Sequence, residues 1–275
     1  MDDLIDQFLD HERTDGKADT TVRNYRADLF GLMREAGEMI SGNAFAGLVR
    51  QHLDSLEVAE RSWNRHLSTL RRFCDFLVEQ GELAVNPLAS RSGVKVEASV
   101  PKAVDEKDVR KLFQRIDRSR DRALITLLWQ NGLRVGEALN LKVEDVDLRA
   151  GTLRISDESD SRMVRLTAAA CDCLRDYLAT RHSDETDCLF VANGGRALSY
   201  AGAHRLFRQY AGDSDLTMQQ LRAGAAAAAF FAGATLWQVQ DMLGHAHAAS
   251  TARYHLKLTK KENKPTASKK KEKSK

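Results

Sequence analysis

The sequence predicts a mainly α protein with a small antiparallel β-sheet, an α+β chain in two blocks. Three observations carry this. Apolar residues recur at helical spacing through most of the chain. Strand-like alternation is confined to two short runs, Thr152–Ser156 and Arg162–Leu166, across the acidic turn Asp157-Glu158-Ser159-Asp160. Asn86-Pro87 and the polar, β-branched stretch Ser90–Pro101 separate an all-helical first block from a mixed second one.

Each element follows from its local pattern. Leu4, Ile5, Phe8 and Leu9 form a helical stripe. Asp19 or Thr20 is placed to cap a second helix through Tyr25, Leu29 and Leu32 toward Gly37. Ala44–Leu53 reads as a third helix. Glu60–Gln80 is the clearest. At about 100° per residue its Trp63, Leu67, Leu70, Phe73, Cys74 and Leu77 share one side. Arg61, Arg65, Ser68 and Arg72 share the other, with no acid on that line. A solvated face is the default reading of such a stripe; a helix lying along DNA phosphates needs the same residues.

The second block begins at Val104. Asp105 caps a helix to about Asp117, with Asp108 three residues on. Ser119–Asn131 follows, closed by Gly132 as the residue after the cap. After the hairpin, Thr167–His182 is amphipathic helix and Cys188–Ala192 a short apolar strand. Ser199 to about Lys257 is mostly helical. The expected organisation is a helical domain over residues 1–86, a linker over 87–103, a mixed domain over 104–257 and a basic tail over 258–275.

Composition narrows the classes. At 275 residues, 43% hydrophobic and 29% charged, the chain has the means to bury a core. Ala223–Leu236 is the longest weakly polar stretch and is too short to span a bilayer. No secretory signal opens the sequence. Cys74, Cys171, Cys173 and Cys188 match neither a disulfide framework nor a zinc site, and the histidines are dispersed, so no metal and no cofactor are expected. A soluble, cytoplasmic protein is the expectation. The net charge of +3 misleads: residues 257–275 hold nine lysines and two glutamates, and the remainder sums to −4. Bulk charge therefore does not argue for nucleic acid; the placement of basic residues must.

Three segments stand out. In Asn131–Glu137, Arg134 follows a helix stop and Glu137 lies one turn on. In Leu221-Arg222-Ala223-Gly224-Ala225, one arginine heads an Ala/Gly/Phe helix, where burial is costly without an anion. A planar guanidinium suits a phosphate brought by a ligand. In Trp237–His255, a helix ends at Gly244, His245 follows, and Tyr254 stands nine residues on. Each has an ordinary reading too: a surface arginine, an exposed helix end, a solvent-facing histidine, a core tyrosine.

Together, Gly132-Leu133-Arg134-Val135-Gly136-Glu137-Ala138-Leu139, Leu221-Arg222 and Leu243-Gly244-His245 with Tyr254 resemble the tyrosine recombinase (phage integrase) family, closest to its short, Xer-like members. The separations are 88 residues between the arginines, 23 more to the histidine and 9 to the tyrosine. The resemblance implies a helical core-binding domain and a catalytic domain that clamp double-stranded DNA from opposite sides. It implies Tyr254 as nucleophile, forming a 3′-phosphotyrosyl link and freeing a 5′-hydroxyl without ATP or metal. It implies Arg134, Arg222 and His245 on the phosphate, and Glu137 orienting Arg134. It further implies a homotetramer on two DNA sites, serving a mobile element.

The sequence departs from the family pattern at three places. Gln219 stands where the family usually has histidine, and Ala223 where histidine is frequent. No lysine lies between Lys142 and Lys257, so the hairpin turn lacks the family's general acid. Arg154 or Arg162 can approach the site, but an arginine, with a pKa above about 12, is a poor acid. Loss of proton-handling groups, each typically worth 10²–10⁴-fold, sets the alternative: a degenerate, weak or inactive recombinase acting as a DNA-binding or regulatory protein. A helical DNA-binding regulator with coincidental spacing is the third reading.

Overall fold

The computed structural model describes residues 2–37, 42–96, 104–156, 161–182 and 186–254. Two compact units divide at Ala98 and Ser99. The acidic turn at 157–160, residues 97–103 of the expected linker, and the tail at 258–275 lie outside the described residues.

The first unit is four helices, α1 (Asp2–Thr14), α2 (Asp19–Ala36), α3 (Gly42–Ser55) and α4 (Glu60–Glu79). Their stripes meet in one core of Ile5, Phe8, Leu9, Leu29, Leu32, Phe45, Val49, Leu70, Phe73 and Leu77. Phe8 sits at its centre, its ring 5.8 Å from Tyr25, 5.4 Å from Phe73 and 5.7 Å from Phe76. One expectation fails locally. α2 starts a residue early, with Ala18 at the N-cap and no side-chain cap. Asp19 therefore lies inside the first turn, where it favours the helix through the macrodipole.

The chain after α4 stays on this unit. Leu83 and Leu88 are buried in its core. The Asn86 amide donates to Arg71 O at 2.9 Å, and its oxygen accepts from Leu88 N at 2.8 Å. Arg91 stacks over the Trp63 ring at 5.8 Å. The beginning of the expected linker is thus fastened to α4, because Leu88 supplies core surface inside a polar stretch.

The second unit runs α5 (Glu106–Arg115), α6 (Ser119–Gln130), α7 (Val135–Asn140), a 3-10 turn, β1 (Val146–Asp147), β2 (Thr152–Ser156), β3 (Ser161–Arg165), α8 (Ala168–Thr180), α9 (Tyr200–Ala211), α10 (Met218–Phe231) and α11 (Leu236–Leu243). Residues 248–254 are helical again. Asp105 caps α5, accepting from Lys107 N at 2.9 Å. The three strands are antiparallel in the order β1-β2-β3, with Leu153 opposite Val164 and Ile155 opposite Arg162. β1 has only two residues, too few for a periodic signal. Cys188–Ala192 forms isolated bridges rather than a strand. It is apolar because Leu189 and Phe190 are buried, with Phe190 stacked on Tyr177 at 5.6 Å.

α6 is the central helix. Ala123, Leu124, Ile125, Leu127 and Leu128 are all buried, and it packs against both α8 and α10. The α6–α10 approach explains the Ala/Gly composition of α10. A Cβ on Gly224 would stand 2.1 Å from the Trp129 ring. Gly224→Ala is expected to destabilise this unit by about 1–3 kcal/mol through overpacking. Urea unfolding reads the change; an unaltered midpoint would mean that the ring moves aside without cost. Among the described residues no helix is long and apolar enough to cross a membrane.

Candidate active site

The site is assembled from three chain reversals in the second unit. The first follows α6. Gly132 takes a left-handed turn (φ 64°) that throws Arg134 to the start of α7. Glu137 then reaches back, accepting from Arg134 N at 2.7 Å and from Arg134 Nη1 at 2.5 Å. This fixes both the helix start and the guanidinium. Arg134 Nη2 donates to Gly244 O at 2.9 Å.

The second is the start of α10, set by the pair Thr217 and Gln220. Thr217 Oγ1 accepts from Gln220 N at 3.2 Å, and Gln220 Oε1 accepts from Thr217 N at 2.8 Å. That cap places Gln219 on the exposed first turn and Arg222 one turn inward. Arg222 is 6% exposed. Its Nη1 donates to Gly132 O at 2.5 Å and its Nη2 to Leu243 O at 2.6 Å. Glu137 Oε2 lies 3.6 Å away. The buried cation is therefore held by carbonyls at helix C-terminal ends, where partial negative charge collects. Burial, and next the Arg134 charge, pull the Arg222 pKa down to about 10, against Glu137 and Tyr254. It remains a cation at neutral pH.

The third reversal is Gly244, left-handed at φ 59° and ψ 51°, which ends α11 and delivers His245. His245 Nδ1 is 2.8 Å from Oγ1 of the buried Thr251. Its ring lies parallel to that of Tyr254, centroids 6.1 Å apart. Burial first, then the charges of Arg222, Arg134 and Arg253, push His245 from 6.5 down to about 4, with Glu137 opposing. It is a neutral ring at physiological pH. The unfolded chain binds a proton near pH 6.5 that the folded chain refuses until about 4. Stability is thus full above 6.5 and is lost as pH falls toward 4. Melting temperatures at pH 7.5, 6 and 5 should show this decline, and His245→Gln should flatten it; an equal slope in that variant would assign the loss to other groups.

Glu137 is the hub. Burial pushes its carboxyl up, but contacts from Arg162, the Arg134 amide and the Arg134 guanidinium outweigh this and hold it below the usual carboxylate range.

Five of the six catalytic candidates, Arg134, Gln219, Arg222, His245 and Tyr254, line one open cavity of about 630 Å³. Glu137 stands behind two of them. Tyr200, His204 and Arg253 also line it. Sequence reasoning did not single these out. The signal for the first two is their spacing of four on α9; for Arg253 it is only adjacency to Tyr254. Arg162 is close, its Nη2 3.0 Å from Glu137 Oε2. Arg154 is not: it pairs with Asp145 at 2.9 Å.

The α4 stripe belongs to the first unit. Arg65 pairs with Asp28, and Thr69 also donates to Asp28 at 2.9 Å. Arg72 Nε donates to Glu12 at 2.7 Å. Both carboxylates are 2% exposed. Arg65 and Arg72 thus neutralise buried acids from α2 and α1, while Arg61 and Ser68 are exposed. Among the described residues, His11, Glu12 and Asp15 have spacing suited to a cation. The Arg72 guanidinium already contacts Glu12 and Asp15.

Residues 102–261 match the profile of the Phage integrase family, and residues 5–81 that of the phage integrase N-terminal SAM-like domain. The chain is 30% identical over 268 residues to tyrosine recombinase XerC of Chromobacterium violaceum, covering 92% of this chain and 90% of that protein. It is 29% identical over 273 residues to tyrosine recombinase XerC of Thermodesulfovibrio yellowstonii, covering 91% and 90%. Its fold is similar to a lambda integrase dimer bound to a COC′ core site, with a TM-score of 0.71 at 16% identity, over 100% of this chain and 99% of that one. It is also similar to XerH site-specific recombinase in a post-cleavage complex with palindromic difH substrate, with a TM-score of 0.67 at 22% identity, over 88% and 78%.

Proposed function

The chain belongs to the phage integrase family, and from that premise we propose how its own residues carry the family's reaction. It is a site-specific DNA recombinase, a tyrosine-type strand transferase acting on DNA. Tyr254 Oη attacks a backbone phosphorus. The Tyr254–phosphorus bond forms, the bond to the 5′-oxygen breaks, and a free 5′-hydroxyl leaves. Attack by a 5′-hydroxyl of the exchanged strand reverses these bonds, so the ester energy is conserved and neither ATP nor metal is required.

The observation that supports these roles is the convergence of Arg134, Arg222, His245 and Tyr254 on one cavity. Arg134 and Arg222 are fixed from behind before any ligand arrives. Their remaining N–H donors grip the non-bridging oxygens as charge grows on them, an effect typically worth about 10²–10³ in rate per donor. Neutral His245 gives the same phosphate a hydrogen bond. Gln219, in the place of a titratable residue, donates an amide hydrogen bond and no proton. Strand exchange between two duplexes implies four protomers. A homotetramer on two sites, encoded by a mobile element and working on cytoplasmic DNA, is the assembly proposed.

The test is capture of DNA by the full chain from a pool of nicked duplexes with randomised cores. The nick releases a short 5′-ended fragment and strands the intermediate. A covalent adduct stable to denaturant is expected. Sequence-specific binding without any adduct would replace this reading by that of a DNA-binding relative that does not cut.

A further inference from the structure

Arg162 is the first described residue but one after the hairpin turn, on β3 opposite Ile155. Its side chain is 19% exposed and turned toward the site rather than to solvent. Nη2 lies 3.0 Å from Glu137 Oε2, an ion-pair distance. Nε is buried and has no hydrogen-bond partner among the described residues. A buried donor left in this state is costly. The guanidinium also lies against Gly244. A Cβ there would stand 2.4 Å from Nη1, 2.5 Å from Cζ and 2.8 Å from Nε. Gly244 is thus bare on the side where Arg162 passes, and its carbonyl holds Arg134.

One side chain from the sheet therefore touches two of the three segments that carry the candidate phosphate-binding groups. Three guanidiniums, of Arg134, Arg162 and Arg222, share the single carboxylate of Glu137. The cluster is left with surplus positive charge, which suits an incoming phosphodiester.

We propose that Arg162 is a positioning residue for strand transfer: it locks Glu137 and the Gly244–His245 turn, and so holds Arg134 and Arg222 in their phosphate-gripping arrangement. The proposal rests on the recombinase reading. Positive charge that the sequence of the turn, which has no lysine, does not bring is in part supplied by Arg162, a group that moves no proton.

The experiment uses the full chain with wild type, Arg162→Met, Arg162→Lys, Glu137→Gln and the Met/Gln double variant on the nicked duplex. Single-turnover rate at saturating DNA is read separately from DNA affinity. Arg162→Met should slow adduct formation by on the order of tenfold or more, with affinity within about threefold. Arg162→Lys should recover part of the rate, since the charge returns without the planar fork. The double variant should be little slower than Glu137→Gln alone, because the two act as one unit. An unchanged rate with a lowered melting temperature, or losses that multiply in the double variant, would overturn the proposal. If Arg162→Met does not fold, Arg162→Lys decides: a rate equal to wild type overturns it. Absence of an adduct with wild type sinks the recombinase reading instead. Orthovanadate binding, measured by thermal shift, then still decides on Arg162: weaker binding in Arg162→Met supports its role, equal binding refutes it.

Discussion

Tyr254→Phe is expected to abolish covalent capture of DNA, a loss on the order of 10⁴-fold or more. The substitution removes one oxygen and little else. The ring is partly buried beside Ala226, Val239 and Leu243 and parallel to His245. Phe preserves that packing, so stability should stay within about 1 kcal/mol of wild type. DNA binding should persist, because the arginines are untouched. A denaturing gel of the nicked-duplex reaction checks the result. An adduct that survives would place the nucleophile elsewhere. The first alternative to examine is Tyr200, which lines the same cavity and is 61% exposed. Transfer of the adduct's loss to Tyr200→Phe would reassign the chemistry.

Arg222→Ala is expected to fail in two measurements at once. Adduct formation should fall by about 10²–10³ through the lost phosphate donor. Stability should also fall, because Gly132 O and Leu243 O lose their buried donor; each orphaned group typically costs about 1–3 kcal/mol. Arg222→Lys separates the effects. It retains a charge but cannot reach both carbonyls and a phosphate with one fork. It should recover stability more than rate. Duplex affinity should change little in either variant. Equal losses of affinity and rate would make Arg222 a general phosphate anchor with no special part in the transition state.

The helices were legible where burial imposes a period. Ile5, Phe8 and Leu9, or Leu67, Leu70, Phe73 and Leu77, reach the core because they share a face. A cap was legible where side chain and backbone are neighbours, as at Asp105; at Thr167, read as the first helical residue, the side chain caps the helix instead. At α2 the same logic misled, since Asp19 resembles a cap but the helix begins one residue before it. Long-range partners were not legible. No acid lies on the Arg65–Arg72 line of α4, yet Asp28 and Glu12 arrive from other helices. Likewise, the isolation of Arg222 in an apolar helix signals a missing anion, but the sequence gives no hint that two carbonyls and Glu137 already meet it. The spacing of Arg134, Arg222, His245 and Tyr254 marks them as a set only through family resemblance. The alternation of β3 puts Arg162 on the face of buried Val164 and Arg165 on the exposed face, but it does not reveal that Arg162 meets Glu137.

The last peptides of α11 hold more than their own turn. Leu243 O anchors Arg222, Gly244 O anchors Arg134, and His245 is the next residue. Three groups proposed to meet one phosphate are therefore tied to a single stretch of main chain. A shift of that stretch by an ångström or so would disengage all of them together. On the proposed mechanism, competence at this site accordingly depends on where one helix ends.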